Sequence, residues 1–425
     1  MDEWLDEMKG NAKEASAPKT KLPVLQIVSA VIACLSLLLV LTVAVWWSII
    51  GIKSFGEGMA AISQLFNPTQ ATTINPSALP ENNAVFQNRD QVVATMGDVK
   101  LTNGELQIYY WTGVYDFLKE NSSYIYYMGL SLNVPFSEQP CYLINQGTWQ
   151  DYFLDAAWDA WHKFQAMALE ADAVDLKLPA DLQEVLDNLE KNMNEAAKEN
   201  GLASADAMVQ ADYGPGCTFA DYASYMNVYC KGYAYFNSQI NLVDVSDEAL
   251  EAYFTENKDG YAEQGITKDS GNYYYVRHIL IAVDGDTDEA WENCRVEAQN
   301  LLDQWLAGDA TEETFAEFAN KYSDDNNGNV TNGGLYSQLT KGTNFVAPFK
   351  EWYLDENNQV GAYGLVKTSY GYHLMYQSNI RPIWKVECES DIYEDATIEI
   401  MDRVTKAHPI EIYESRAMIG NVSFG

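Results

Sequence analysis

From Leu22 to Ile52 the 425-residue chain contains no charged residue. The run VLQIVSAVIACLSLLLVLTVAVWW is longer than the roughly 20 apolar residues that cross a bilayer, and Trp46 and Trp47 at its far end suit a membrane interface. A cleavable signal peptide has a shorter apolar core, about 7–15 residues. The expectation is therefore one uncleaved transmembrane signal anchor over 22–52, with a cytoplasmic tail over 1–21 and everything else on the far side. A rival reading takes VIAC, Val31 to Cys34, as a lipidation box. The residues that follow, SLLLVLTVAV, are far too apolar to begin a mature lipoprotein.

Lys19 and Lys21 flank one side of the run and Lys53 the other, so flanking charge barely orients it. Size and charge do so instead. The net charge is −35, and five acidic and four basic residues precede the run, so −34 lies beyond it. A long acidic C-terminal part reads as the exported cargo of a single-pass bacterial membrane protein. Such a surface repels nucleic acid and anionic headgroups, so no nucleic-acid partner is expected. Outside the run stand Cys141, Cys217, Cys230, Cys294 and Cys388, with no CxxC spacing. That pattern is neither a disulfide-dense scaffold nor a zinc module. It leaves one or two extracytoplasmic bridges open and does not pair them.

Residues 53–90 include NPTQATTINPSALPENNAV, a polar, proline-bearing stretch without periodicity, expected to be a flexible linker. From Gln91, VVATMGDVKLTNGELQIYYWTGVYDFL reads as strand, turn, strand and helix, with Thr102 or Asn103 as the helix cap. Helical spacing recurs in YFLDAAWDAWHKFQAMALEAD. It recurs again in the segment that places Leu182, Val185, Leu186, Leu189 and Met193 on one face, and after Ser246. Residues 91–268 are therefore expected to form a mainly helical domain. His162 within it has no second ligand at i+3 or i+4 and reads as a packing or surface residue.

The pattern changes at NYYYVRHILIAV, a strand with His278 inside it. Two helices follow, then NNGNVTNGG, the short strand LYSQL, the short helix NFVAPFKEWYLD, and GAYGLVKTSYGYHLMYQSNI, two strands joined by a turn, with His373 in the second. Four strands and about four helices over 269–382 make a compact α+β domain. The remainder, 383–425, has a helix-like stretch and two strand-like pieces, IEIYES and AMIGNV. It is too short to fold alone and is expected to return to the helical domain beside VVATMGDVKL.

RHILI, FAEFANKYSDD, a double glycine, FVAPF and VKTSYGYHLM in this order and spacing resemble the parvulin family of peptidyl-prolyl cis-trans isomerases over roughly Tyr273 to Ile380. The flanking regions are similar to the chaperone module of exported foldases of the SurA and PrsA type, and the anchor to the PpiD arrangement. The resemblance implies a parvulin-like four-stranded domain inserted in a SurA-like helical domain behind one transmembrane helix. It implies an isomerase acting on X–Pro bonds of unfolded exported polypeptides, with no cofactor and no metal. Residue by residue, it puts His278 and His373 on neighbouring strands at the floor of the site. Asp325 takes the Cys/Asp position and Thr368 the hydroxyl position. Phe345 and Phe349 hold the proline ring, with Leu339 and Tyr372 completing the wall.

The chain departs from the family at GGLYS, Gly333 to Ser337, where GGDLG is frequent. The loop VDGDTDEAWEN is acidic and would repel a phosphate, so no preference for phosphorylated substrates is expected. Its D-x-D-x-D spacing is not a calcium loop, because Glu289 and Arg295 stand where Gly and Glu are needed. No GxSxG or HExxH supports a hydrolase. The competing reading is a non-catalytic chaperone that uses the parvulin fold only to bind polypeptide.

Overall fold

The computed structural model describes residues 80–422 apart from 122, 123 and 329. The expected cytoplasmic tail, the Leu22–Ile52 span and most of the linker lie outside the described residues. Among the described residues no helix is long and apolar enough to cross a membrane. The last part of the expected linker forms helix α1, Pro80–Gln87, in which Val85 is fully buried.

A hairpin follows, β1 (Val92–Met96) and β2 (Val99–Thr102), and then helices α2 (Asn103–Asn121), α3 (Trp149–Ala173), α4 (Ala180–Glu199), α5 (Ala205–Tyr213) and α6 (Phe219–Ile240). Thr102 caps α2, accepting from Glu105 N at 3.3 Å while the Glu105 carboxylate accepts from Thr102 N at 3.2 Å. Thr148 with Asp151 and Thr218 with Asp221 make the same reciprocal box at the starts of α3 and α6. Each such cap contributes about 1 kcal/mol. Trp149, Trp161, Tyr110, Phe153 and Phe236 fill the core between these helices.

Helices α7 (Asp247–Glu256) and α8 (Lys258–Glu263) lead into β3 (Asn272–Ala282), α9 (Asp288–Ala307), α10 (Glu312–Tyr322), β4 (Leu335–Leu339), α11 (Ala347–Leu354), β5 (Tyr363–Lys367) and β6 (Gly371–Pro382). The four strands form one antiparallel sheet in the order β4-β3-β6-β5. Its two faces bury different clusters. Ile279, Ile281 and Leu374 pack with Trp305, Phe315 and Ala319 of α9 and α10, whereas Val276, Met375 and Val366 pack with Leu339 and with Phe349 and Tyr353 of α11.

The chain leaves the sheet directly into α12 (Ile383–Ala407), which packs on α3, and ends with β7 (Glu411–Ile412). β7 pairs antiparallel with β1, Ala94 opposite Ile412, so the tail returns to the first module as a third strand. AMIGNV is not a strand. It is held by side chains of α2 instead: Asn103 Oδ1 accepts from Met418 N at 2.9 Å and Gln107 Oε1 from Gly420 N at 3.0 Å. At the base of the inserted unit Phe254 stacks on Tyr261 and meets the Trp384 ring edge-on, each at 5.2 Å, which holds α7 and α8 against α12. His162 Nε2 lies 2.8 Å from the carbonyl of His408, tying α3 to the end of α12. All five cysteines beyond the expected span are buried free thiols.

Candidate active site

The site lies on the α11 face of the sheet. Side chains alternate along a strand, so His278 shares a face with Val276, and His373 with Met375. His278 stands opposite Met375 and Leu280 opposite His373, which makes the two imidazoles diagonal neighbours across β3 and β6. Their Nδ1 atoms are 3.2 Å apart and both rings are buried. Thr368, just past β5, places Oγ1 2.9 Å from His373 Nε2. Asp325 places Oδ2 3.2 Å from His278 Nε2, close enough for charge interaction but out of line for a straight hydrogen bond.

The YSDD segment brings Asp325 there. Ser323 Oγ accepts from Leu280 N at 3.1 Å, Asp324 N donates to Leu280 O at 2.8 Å, and Asp324 Oδ2 accepts from Ala282 N at 2.9 Å. This stretch is thus laced to β3, and Asp325 follows it onto His278. The double glycine serves β4 in the same way. Gly334 O accepts from His278 N at 2.9 Å, and Arg277 donates to the carbonyls of Asn332 and Gly333, both at 3.1 Å. The loop keeps its tight path without the second half of the family's glycine pattern, since Gly333 and Gly334 both adopt φ +67°.

The proton order along the chain of groups follows from its ends. The His278 ring and the Tyr336 hydroxyl, which donates at 2.8 Å, hold the Asp325 carboxyl down at about 2, against the effect of burial. An ionised carboxylate only accepts, so His278 faces it with Nε2–H and its Nδ1 accepts. His373 then donates from Nδ1, and its Nε2 accepts from the Thr368 hydroxyl. Thr368 Oγ1 in turn accepts from Tyr370 N at 3.1 Å. Burial first, and the neighbouring His278 second, push His373 down to about 4, with Asp325 opposing them. Both ring nitrogens of His373 are thus bonded inside an apolar wall, while His278 Nε2 has only the charge of Asp325 beside it.

That wall is aromatic. Phe349 meets His278 and His373 edge-on at 5.3 and 5.5 Å. Phe345 stacks on Phe349 at 4.9 Å, and Tyr336 lies over His278 at 4.8 Å with the planes 16° apart. Phe349 and Leu339 are buried, while Phe345 and Tyr336 are half-buried and form the rim open to solvent. The structure therefore gathers His278, His373, Thr368, Asp325, Leu339, Phe345 and Phe349.

Tyr372 is a correction. It follows one residue before His373 on β6, so alternation sends it to the other face, 6.3 Å from the Trp291 ring and among the α9–α10 cluster. Its place in the wall is taken by Tyr336. Tyr336 is three residues from Leu339, and strict alternation would put the two on opposite faces. Gln338 at φ +54° and an irregularity in the β3–β4 register bring both to one face.

A pH dependence follows. The unfolded chain takes up a proton on His373 near 6.5, whereas the folded ring does so only near 4. Stability contributed there is present above about 6.5 and is lost as pH falls toward 4. Asp325 adds a second loss below its unfolded value of 3.8. In the helical module, burial raises Asp116 and Asp212 to about 6, so their native-state penalty is relieved over nearly the same acid range. Lowering pH from 7 to 4.5 is expected to reduce hydrogen-exchange protection factors in β3 and β6 relative to those in α2 and α5, which carry Asp116 and Asp212. Parallel changes in the two units would contradict this assignment.

Except for its last three residues, the sheet that carries the paired histidines lies within residues 264–379, which match the family model described as PPIC-type PPIASE domain. This part of the chain is a parvulin-type domain. Among solved structures the chain is similar to PrsA from Bacillus subtilis, at 17% identity over 61% of this chain and 88% of that one, TM-score 0.30. It is similar to the foldase PrsA from Lactococcus lactis, at 11% identity over 76% and 96%, TM-score 0.27. A SurA-like chaperone structure from Campylobacter jejuni matches at 19% identity over 57% and 88%, TM-score 0.20. No curated protein matches the chain.

Proposed function

We propose that the chain is a membrane-anchored extracytoplasmic foldase that catalyses cis-trans isomerisation of X–Pro bonds in unfolded exported polypeptides, without a requirement for phosphorylation. The observation that carries this reading is the hydrogen-bonded series Thr368–His373–His278 with Asp325 at its end, under the Phe349, Phe345 and Tyr336 rings. The uncharged Leu22–Ile52 run supports the anchor, and the acidic bulk beyond it supports export.

An X–Pro bond turns over a barrier of about 18–20 kcal/mol and breaks no bond. Twisting the amide removes its resonance and much of its dipole. A dry aromatic groove therefore favours the twisted amide over the planar one. Phe345 and Tyr336 offer the accessible faces for a proline ring. Burial keeps the His373 ring beneath them neutral, and Asp325 orients the His278 ring.

The test is a prolyl-peptide isomerisation assay on the full chain in mild detergent, with folding verified independently. Acceleration is expected, and Asp325→Ala is expected to reduce it at least about tenfold, the effect of losing ~1.4 kcal/mol from the twisted state. A folded wild-type chain that leaves the uncatalysed rate unchanged would eliminate the enzyme reading and leave the non-catalytic chaperone. A peptide with phosphoserine before proline is expected to be turned over no faster than its unmodified counterpart.

A further inference from the structure

The loop between α2 and α3 presents an unusual surface. Tyr126, Tyr127 and Tyr142 are 84%, 82% and 79% exposed, and Tyr124, Leu143 and Val134 are exposed beside them. Tyr126 and Tyr127 meet edge-on at 5.8 Å, and the place of a Cβ on Gly129 lies 3.4 Å from the Tyr142 ring, so the two halves of the loop come together. The rings stand on a built platform. Ile125, Met128, Leu132 and Ile144 pack inward on the helical core. The buried Gln139 side chain clamps the turn, bonding Ser131 N and O at 2.8 Å each and Val134 O at 2.6 Å. Folding thus spends its apolar residues inward and leaves the tyrosines facing out.

Charge selects the occupant. Between Asn121 and Thr148 the only charged residue is Glu138, in a chain of net charge −35. The acidic remainder is repelled by an anionic bilayer surface, so this stretch, with Asp151 at its border, approaches a membrane more easily than the acidic surface around it. Tyrosine, with an apolar ring and a polar tip, suits the headgroup boundary. The 27 residues between Ile52 and Pro80 span at most on the order of 90 Å, which keeps the folded body within reach of the bilayer that holds the anchor.

We propose that Tyr124, Tyr126, Tyr127 and Tyr142 form a membrane-docking face that seats the helical module on the phospholipid headgroup–acyl boundary. The proposal rests on the reading of Leu22–Ile52 as a membrane anchor. It is tested on the full chain carrying Cys34→Ser, in phosphatidylcholine vesicles containing a lipid with a spin-label quencher near the headgroup. A thiol-reactive fluorophore is placed through Tyr127→Cys or, as control, through Glu356→Cys in the parvulin unit. The other cysteines are buried and remain unlabelled. Quenching at position 127 is expected to exceed that at position 356 by at least about twofold, as for a group immersed in the interface. Equal quenching at both positions, with the chain retained after an alkaline wash, overturns the docking face alone. Release by the wash removes the anchor and the docking face together. Protection of the 127 label by an unfolded proline-containing polypeptide in place of lipid assigns the surface to clients and also overturns the proposal.

Discussion

Phe349→Ala is expected to destabilise the parvulin unit by about 3–5 kcal/mol, the range for emptying a buried phenyl site. The ring is fully enclosed and touches both imidazoles, Phe345, Tyr336 and Tyr353. Its loss leaves a cavity that opens the histidine pair to water. Solvation restores the cationic form of His373, so isomerase activity is expected to fall at mildly acidic pH before it falls at neutral pH. Phe349→Leu retains much of the volume and serves as the comparison. Thermal denaturation followed by the peptide assay reads both effects. A near-wild-type melting midpoint for the alanine variant would show that α11 collapses onto the sheet without the ring.

Gly334→Ala is expected to be as severe, for a different reason. A Cβ at this position would lie 2.1 Å from the carbonyl oxygen of His278, which is backbone and cannot swing aside. The residue also sits at φ +67°, a conformation that costs an L-residue about 1–2 kcal/mol before any clash. β4 must therefore move off β3, breaking the 2.9 Å bond from His278 N to Gly334 O and lifting Tyr336 from the histidine. With the overpacking cost included, the loss is about 3 kcal/mol or more. Gly97→Ala provides the contrast: it has φ +57° and nothing within 4 Å, so only the backbone cost remains. Hydrogen exchange at the His278 amide separates the two variants. Full protection of that amide in Gly334→Ala would disprove the proposed strand displacement.

Much of the site was legible because its residues obey local rules. RHIL and GYHLM read as strands through their β-branched and aromatic content, and the distance between them matched a known order of motifs. What alternation and spacing do not encode is a register irregularity. Tyr336 was hidden by the left-handed backbone at Gln338, and no local feature of LYSQL announces it. Tyr372 belongs to the matched motif, but its neighbour His373 claims the inner face, so the period of two alone argues against it. In the helical part, α6 gives little helical signal because FADYASYMNVYCKGYAYF is rich in aromatic residues that also favour strands. Its tyrosines at 222, 225, 229 and 233 stack along one helical face. The first half of α12 is equally silent, since WKVECESDIYE carries Glu387 and Asp391 on a face that receives hydrogen bonds from Tyr273 and Tyr261.

The side-chain amide of Asn103 grips the backbone of Met418, 315 residues further along the chain. A polypeptide delivered N-terminus first cannot make that grip until its final segment has arrived. The parvulin unit, whose sheet contacts all fall between residues 272 and 382, is complete earlier. The order of assembly therefore runs against the order of synthesis, and the first module to emerge is the last to close.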